Sequence, residues 1–293
     1  MFNLKALEPK DRPLLGVLFG KTRIGKSGAC GTFGKNTLYL HTDAEVHGAA
    51  MAAKVCKETH PKVGVFPVNI SKVEQPDIEA GLFKKPVGAS LDSNEIMEKL
   101  ETYIKNPPKG VGAIVVDSLT DLSNIISNTD KFINLCSKAG KYNNFAERAA
   151  FETMFQEFVG ILTATRDKGI DCVCTIAATH TYNEKGEPIA LKPELPMFGV
   201  VDTVLKSFPD VFPVDRVEVE VEDGHKQVIV FAMNMRVGKV QYDKDKKKKN
   251  EAFTQGRITS LEVSLPLGLE VGLLKADFSK IGESIKALKE DQT

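Results

Sequence analysis

No stretch of the 293-residue chain comes near the ~20 consecutive apolar residues that crossing a bilayer requires, so no membrane-spanning helix is expected. Charge of one sign is not in excess either, since 39 Lys and Arg balance 39 Asp and Glu. That balance excludes a globally basic nucleic-acid coat and leaves a local basic patch open. Cysteine is scarce and odd in number: Cys30, Cys56, Cys136, Cys172 and Cys174 show no metal-binding spacing. In a chain of this size they read as reduced thiols, the usage of a cytosol-like compartment. The start of the chain, MFNLKALEPK, carries charges where a secretory signal needs an apolar stretch, so no signal is expected. Internal repeats are lacking, and the one low-complexity segment is a lysine run. What remains is a globular balance of 42% hydrophobic and 27% charged residues, long enough to bury a large core in one or two domains.

Over the first two thirds, short apolar runs alternate with amphipathic stretches, the pattern of a parallel sheet covered by helices. Leu14–Phe19 (ending at Gly20), Thr37–His41, Ala113–Val116 (ending at Asp117) and Cys172–Ala178 are the buried strands expected. Helices are expected over Glu45–Lys57, from an Asp92 or Ser93 cap to about Lys105, and over Ala149–Lys168. In the last of these Phe151, Phe155, Phe158 and Leu162 recur at helical spacing, which makes the stripe core rather than a base-stacking platform. Cys172 and Cys174 alternate on a strand and likewise read as core. Residues 71–91, broken by Pro76 and Pro86, and residues 128–146 read as long polar loops that could face nucleic acid.

The texture changes after about residue 205. Val217, Val219 and Val221 alternate with Glu218, Glu220 and Glu222, a half-exposed strand; Asp223-Gly224 signals a hairpin turn and Gln227–Met233 its returning partner. Lys244–Lys249 reads as a solvated loop, or alternatively as a contact to a phosphate backbone. Ile258–Leu265 is one more candidate strand, and roughly the last 25 residues a loosely attached helical tail.

The strongest signal is Gly20-Lys21-Thr22-Arg23-Ile24-Gly25-Lys26-Ser27, which fits G-x-x-x-x-G-K-[ST] between an apolar strand and an Ala-containing stretch. Glycines let the backbone wrap a phosphate and turn successive N–H groups inward. Lys26 can reach the outer phosphates, Ser27 can place its hydroxyl on Mg2+, and a helix beginning there brings its positive dipole end. With Gly28, the span Gly20 to Gly28 is the expected nucleotide-binding set. Asp117, at the end of a buried strand, is the candidate second holder of Mg2+ beside Ser27. Asp43 and Glu45 follow the second strand, where open α/β sheets bind ligands; one could polarise an attacking water, or either could simply cap the next helix. His180 ends a further strand at the same edge and could sense the outer phosphate, or be an ordinary strand-end histidine.

On Asp43-Ala44-Glu45, Asp117-Ser118 and the phosphate loop, the chain resembles the RecA-like ATPase core over about residues 12–205. In order and spacing it is similar to phage-encoded ATP-binding proteins that act beside single-strand annealing recombinases. The resemblance implies an α/β, RecA-like P-loop fold with a mostly parallel sheet, an ATP-binding core over 1–205 and an antiparallel extension with a tail over 206–293. It implies ATP and Mg2+ as ligands, Lys26 on phosphate, Ser27 and Asp117 on the metal, Glu45 as catalytic base and His180 as sensor. RecA itself carries Gln at the sensor position, so His180 suits the phage subgroup. Arg236 and Lys239 follow the hairpin, where RecA-like ATPases present cations to a neighbour's nucleotide, although solvated surface charge is the competing reading. A DNA-stimulated recombination or repair ATPase results, acting on single-stranded DNA as a ring or filament in the (host) cytoplasm. A nucleic-acid motor or loader, and a nucleotide-bound regulatory protein with little turnover, are the alternatives.

Overall fold

The computed structural model describes residues 13–42, 45–73, 90–138, 144–182, 188–196, 198–221, 224–232, 236–242, 248–256 and 273–283. Six parallel strands make up the centre of one sheet, and four of them are the apolar runs expected from sequence. The six are β1 (Leu15–Gly20), β2 (Thr37–His41), β3 (Val65–Asn69), β4 (Ala113–Asp117), β5 (Asp171–Tyr182) and β7 (Asp210–Val221). Their order across the sheet is β3-β2-β4-β5-β1-β7. β3 escapes the apolar-run reading because Pro67 interrupts it; among the described residues it pairs only with β2, an edge position where a missing N–H is tolerated.

Seven helices are described: α1 (Lys26–Cys30), α2 (Val46–Thr59), α3 (Ser93–Lys105), α4 (Leu119–Ser127), α5 (Asp130–Lys138), α6 (Asn144–Arg166) and α7 (Phe198–Ser207). Alternation along the strands divides the core in two. Leu15, Val17 and Phe19 of β1 pack with α3 to α7, whereas Leu14 and Leu18 pack with Ala29, Cys30, Ala49 and Ala52 of α1 and α2. Both faces are therefore covered, as near-continuous apolar strands require. The Phe151, Phe155 and Phe158 stripe and Cys172 and Cys174 all lie in the first of these cores. α3 starts where expected, with Asp92 accepting from the N–H groups of Asn94 and Glu95 and Glu95 returning a bond to the Asp92 N–H.

Two expectations are corrected. Residues 130–138 of the supposed polar loop form α5, which buries Phe132 and Cys136 four residues apart beneath the otherwise polar face, and α6 already begins at Asn144. The C-terminal part is not loosely attached over residues 273–283. There β11 (Leu273–Lys275) pairs with β8 (Gly224–Ala232), and Phe278 stacks on Phe33 with centroids 4.4 Å apart, meeting Phe212 and Phe231 at 5.3 and 5.2 Å. The Phe278 N–H also donates to the Thr32 hydroxyl at 2.8 Å. The candidate strand over 258–265 lies outside the described residues, as do 74–89 of the other polar loop and 244–247 of the lysine run.

The decisive feature for the site is length. β5 and β7, the two neighbours of β1, each run for 12 residues where β1 has 6. β1 stops at Gly20, paired with Ala177, while β5 continues to Tyr182 and turns antiparallel with β6 (Pro188–Pro193). On the other side β7 continues to Val221 and pairs antiparallel with β8, Val221 opposite Gly224, which is the hairpin expected from sequence. β6 leads on to β9 (Arg236–Tyr242) and β10 (Lys248–Gln255). The chain after Gly20 thus emerges in a notch between two overshooting strands. Among the described residues no helix is long and apolar enough to cross a membrane.

Candidate functional site

The phosphate-loop sequence occupies that notch. Gly25 has φ 119 and Arg23 φ 64, so the loop passes twice through the left-handed region. Gly25 is needed for space as well as conformation, because a Cβ there would lie 2.3 Å from Cδ1 of Ile229. At Gly20 a Cβ would sit 2.8 Å from both the Val214 carbonyl oxygen and Cγ2 of Ile24. The helix that follows is only the five residues of α1, so the dipole contribution expected from sequence shrinks to about one turn. An anion brought to this loop would meet Lys26 and the loop amides rather than a full helix dipole. The Lys26 ammonium donates to the carbonyls of Gly20 at 2.8 Å and Lys21 at 3.0 Å. Burial pulls its pKa below the ordinary value, opposed by the charges of Asp117, Glu45 and Glu194.

Asp117 joins this loop to the rest of the sheet edge. It is 3% exposed and accepts hydrogen bonds from three hydroxyls: Ser27 at 3.1 Å, Tyr39 from β2, and Thr175 from β5. Ser27 and Asp117, ninety positions apart in the chain, are therefore in direct contact. Gly48 of α2 closes the cradle, since a Cβ there would come within 2.7 Å of Asp117 Oδ2 and 2.8 Å of Ser27 Oγ. Beyond Asp117, the Ser118 hydroxyl caps α4 by accepting from the Asp121 N–H, and Thr42 and Ser118 both donate to the Asp121 carboxylate at 3.2 Å. Burial, with the Asp117 charge second, pushes the Tyr39 phenol and the Cys30 thiol well above their usual ranges, so both stay protonated and Tyr39 donates to Asp117.

Glu45 stands at the N-cap position of α2, yet its side chain makes no capping bond. It is only partly buried. Desolvation first, then the charges of Asp117 and Asp121, raise its pKa to about 7, with Lys26 opposing. Asp43 lies outside the described residues. His180 sits on the overshoot of β5, with its Nδ1 buried and without a hydrogen-bond partner among the described residues. Its pKa is lowered by burial and by Lys21, against Asp215. Lys26, Ser27, Glu45 and Asp117 are thus tied together by contact or by mutual charge, and His180 on β5 feels the charge of Lys21 in the loop.

Other sequence candidates stay apart from this cluster. Arg236 and Lys239 fall on β9 and Lys248 and Lys249 on β10, in the arm beyond β6; their side chains lie outside the described residues. All five cysteines are buried and free, and the Cys172 thiol is pushed up to about 12 by burial and Asp171, which makes it inert. Sequence reasoning missed Tyr39, Thr175, Gly48 and Glu194. Tyr39 and Thr175 read only as strand interior, and Gly48 as part of an Ala-rich helix.

No group of three or more His, Cys, Asp or Glu side chains among the described residues could hold a metal by itself. The Ser27 hydroxyl and the Asp117 carboxylate still fit Mg2+, a hard ion that takes few protein oxygens and completes its shell with waters and phosphate oxygens. The small cradle kept open by Gly48 agrees with that use. No family model matches the chain, and the search of curated proteins returns no match.

Proposed function

We propose that this chain is a Mg2+-dependent ATP-binding and ATP-hydrolysing protein of RecA-like P-loop architecture. The observation that carries the reading is the 3.1 Å contact between Ser27 of the loop and Asp117 at the end of β4, beside the Lys26 ammonium. A loop of the G-x-x-x-x-G-K-S form is common enough in principle to be an anion site alone. Its closure onto a buried carboxylate from a strand two positions away is what a metal-nucleotide site needs.

In this reading the loop amides and Lys26 bind and orient the phosphates, exchanging the carbonyls of Gly20 and Lys21 for phosphate oxygens. Ser27 and Asp117 hold Mg2+, which when bound neutralises phosphate charge. Tyr39 and Thr175 keep the Asp117 carboxylate oriented. Glu45 accepts the proton of the attacking water, and a pKa of about 7 makes it a base poised at neutral pH. His180, at the notch wall, contacts the outer phosphate. Single-stranded DNA as partner, a ring or filament as the working form, and a recombination or repair role of phage type follow from the resemblance to RecA-like proteins, with Arg236 or Lys239 as the cation offered to a neighbour.

The test is Mg2+-dependent ATP hydrolysis, with and without single-stranded DNA, for the wild type and Glu45→Gln. DNA-stimulated turnover that falls about 100-fold or more in the variant supports the proposal. Stimulation by duplex instead points to a motor or loader. ATP binding with negligible turnover that ignores DNA leaves a regulatory nucleotide and ends the recombinase reading.

A further inference from the structure

The overshooting part of β7 does more than wall the notch. Arg216 sends its Nη2 back to the loop and donates to the carbonyls of Arg23 at 3.2 Å and Ile24 at 3.3 Å. These two carbonyls lie in the stretch between the two left-handed residues, Arg23 and Gly25. Arg216 is paired directly across the hairpin with Ile229, and paired residues on adjacent antiparallel strands present their side chains to the same face. Ile229 is the side chain that fills the space beside Gly25, so one cross-strand pair meets the loop twice. Two residues earlier on the same face, Val214 closes on Gly20.

We propose that the β7–β8 arm is a clamp that holds the phosphate loop in shape from its carbonyl side, with Arg216 as the positioning residue and Ile229 as its apolar support. A left-handed conformation at a residue with a side chain, as at Arg23, is unfavourable and needs fixed surroundings. A charged donor shared between the two carbonyls supplies them. It also polarises the peptide units that carry the N–H groups of Ile24 and Gly25, the first of which closes the loop's turn onto the Lys21 carbonyl at 3.2 Å. Lys26 holds the other end of the loop, through Gly20 and Lys21. If Lys26 is the phosphate ligand, as the proposed function has it, the clamp is the holder that stays when Lys26 turns to phosphate. Arg216 thus acts through the loop and does not touch the phosphate itself.

Amide hydrogen exchange on the full chain tests the clamp without any nucleotide. In Arg216→Ala the peptide covering residues 20–27 exchanges about tenfold faster, while residues 113–117 of β4 keep their protection and show that the fold is intact. Arg216→Lys retains a charged donor and recovers most of the protection, and Ile229→Ala gives a smaller rise of about threefold. Fluorescent ADP and ATP analogues then bind Arg216→Ala more weakly by a similar factor of about five. Unchanged loop exchange in Arg216→Ala overturns the clamp, and a loss confined to the ATP analogue with unchanged exchange overturns it in favour of a phosphate ligand. Faster loop exchange in a protein whose wild type binds neither analogue supports the clamp and defeats the nucleotide reading, so the two failures are told apart.

Discussion

The two ends of β1 use buried carboxylates in opposite ways. At its N-terminal end, Asp171 opens β5 and Asp210 opens β7, one on each side. Asp171 accepts from the Leu14 N–H at 2.8 Å and from the Lys35 ammonium at 2.6 Å, and Asp210 accepts from the Leu15 N–H at 3.0 Å. At the C-terminal end Asp117 meets three hydroxyls, and the Glu45 side chain makes no capping bond to α2. A backbone N–H has one fixed direction, whereas a hydroxyl can donate to a carboxylate or rotate to offer a lone pair. The lower end is a tie between strands, and the upper end is adjustable. Burial alone does not distinguish the two sets, since Asp171, Asp210 and Asp117 are all buried. The kind of donor does.

The comparison breaks first at Lys26. Lys26→Ala should weaken ATP-analogue binding at least about 100-fold, ~3 kcal/mol, in a fluorescence titration, with the urea midpoint little changed. Next come the two aspartates. Asp171→Ala strands the Leu14 N–H and should lower stability by about 2 to 3 kcal/mol in urea unfolding, leaving binding per folded molecule intact. Asp117→Asn should change stability by less than about 1 kcal/mol and reduce Mg2+-dependent turnover about 100-fold. Similar behaviour of these two variants would abolish the distinction between the ends.

Gly48→Ala probes the cradle. Helix propensity alone would favour alanine by about 0.5–1 kcal/mol. Crowding of Asp117 Oδ2 at 2.7 Å should instead weaken nucleotide binding about tenfold in Mg2+ and little in EDTA, as paired titrations would read. The smallest effect concerns Glu45. Its pKa of about 7 lies above the ordinary 4.5, so the unfolded chain gives up this proton first as pH rises. The folded state therefore loses stability between about pH 4.5 and 7 and keeps that deficit above. Glu45→Gln should gain about 1 kcal/mol at pH 8, after allowance for solvent screening of a partly exposed group, and nothing at pH 4. Unfolding curves at the two pH values check the sign.

The residues that sequence reasoning found are those whose role is set by the local chain. Gly20, Gly25, Lys26 and Ser27 announce themselves because a tight loop needs glycine at particular steps and a cation within reach. The strands over β1, β2, β4 and β5 are legible as runs buried on both faces, and Asp117 because a charge ends such a run. α5 was hidden by its shortness: Phe132, Leu135 and Cys136 do form an i, i+3, i+4 stripe, but it spans little more than one turn and sits among polar neighbours. Likewise Phe278 carries no local sign of the aromatic partners that dock residues 273–283.

The loop sequence, the strands β1, β2, β4 and β5 and the carboxylate at the end of β4 were determined by the sequence itself, because each depends on the period and chemistry of neighbouring residues. Tertiary structure alone decided that Tyr39, Thr175 and Gly48 surround Asp117 and that Arg216 and Ile229 reach the loop. Those meetings follow from the order β3-β2-β4-β5-β1-β7 and from the unequal lengths of β1 and its two neighbours. Which strands lie side by side is settled by how the crossovers pack both faces of the sheet, a property of the whole chain that no local stretch of residues encodes.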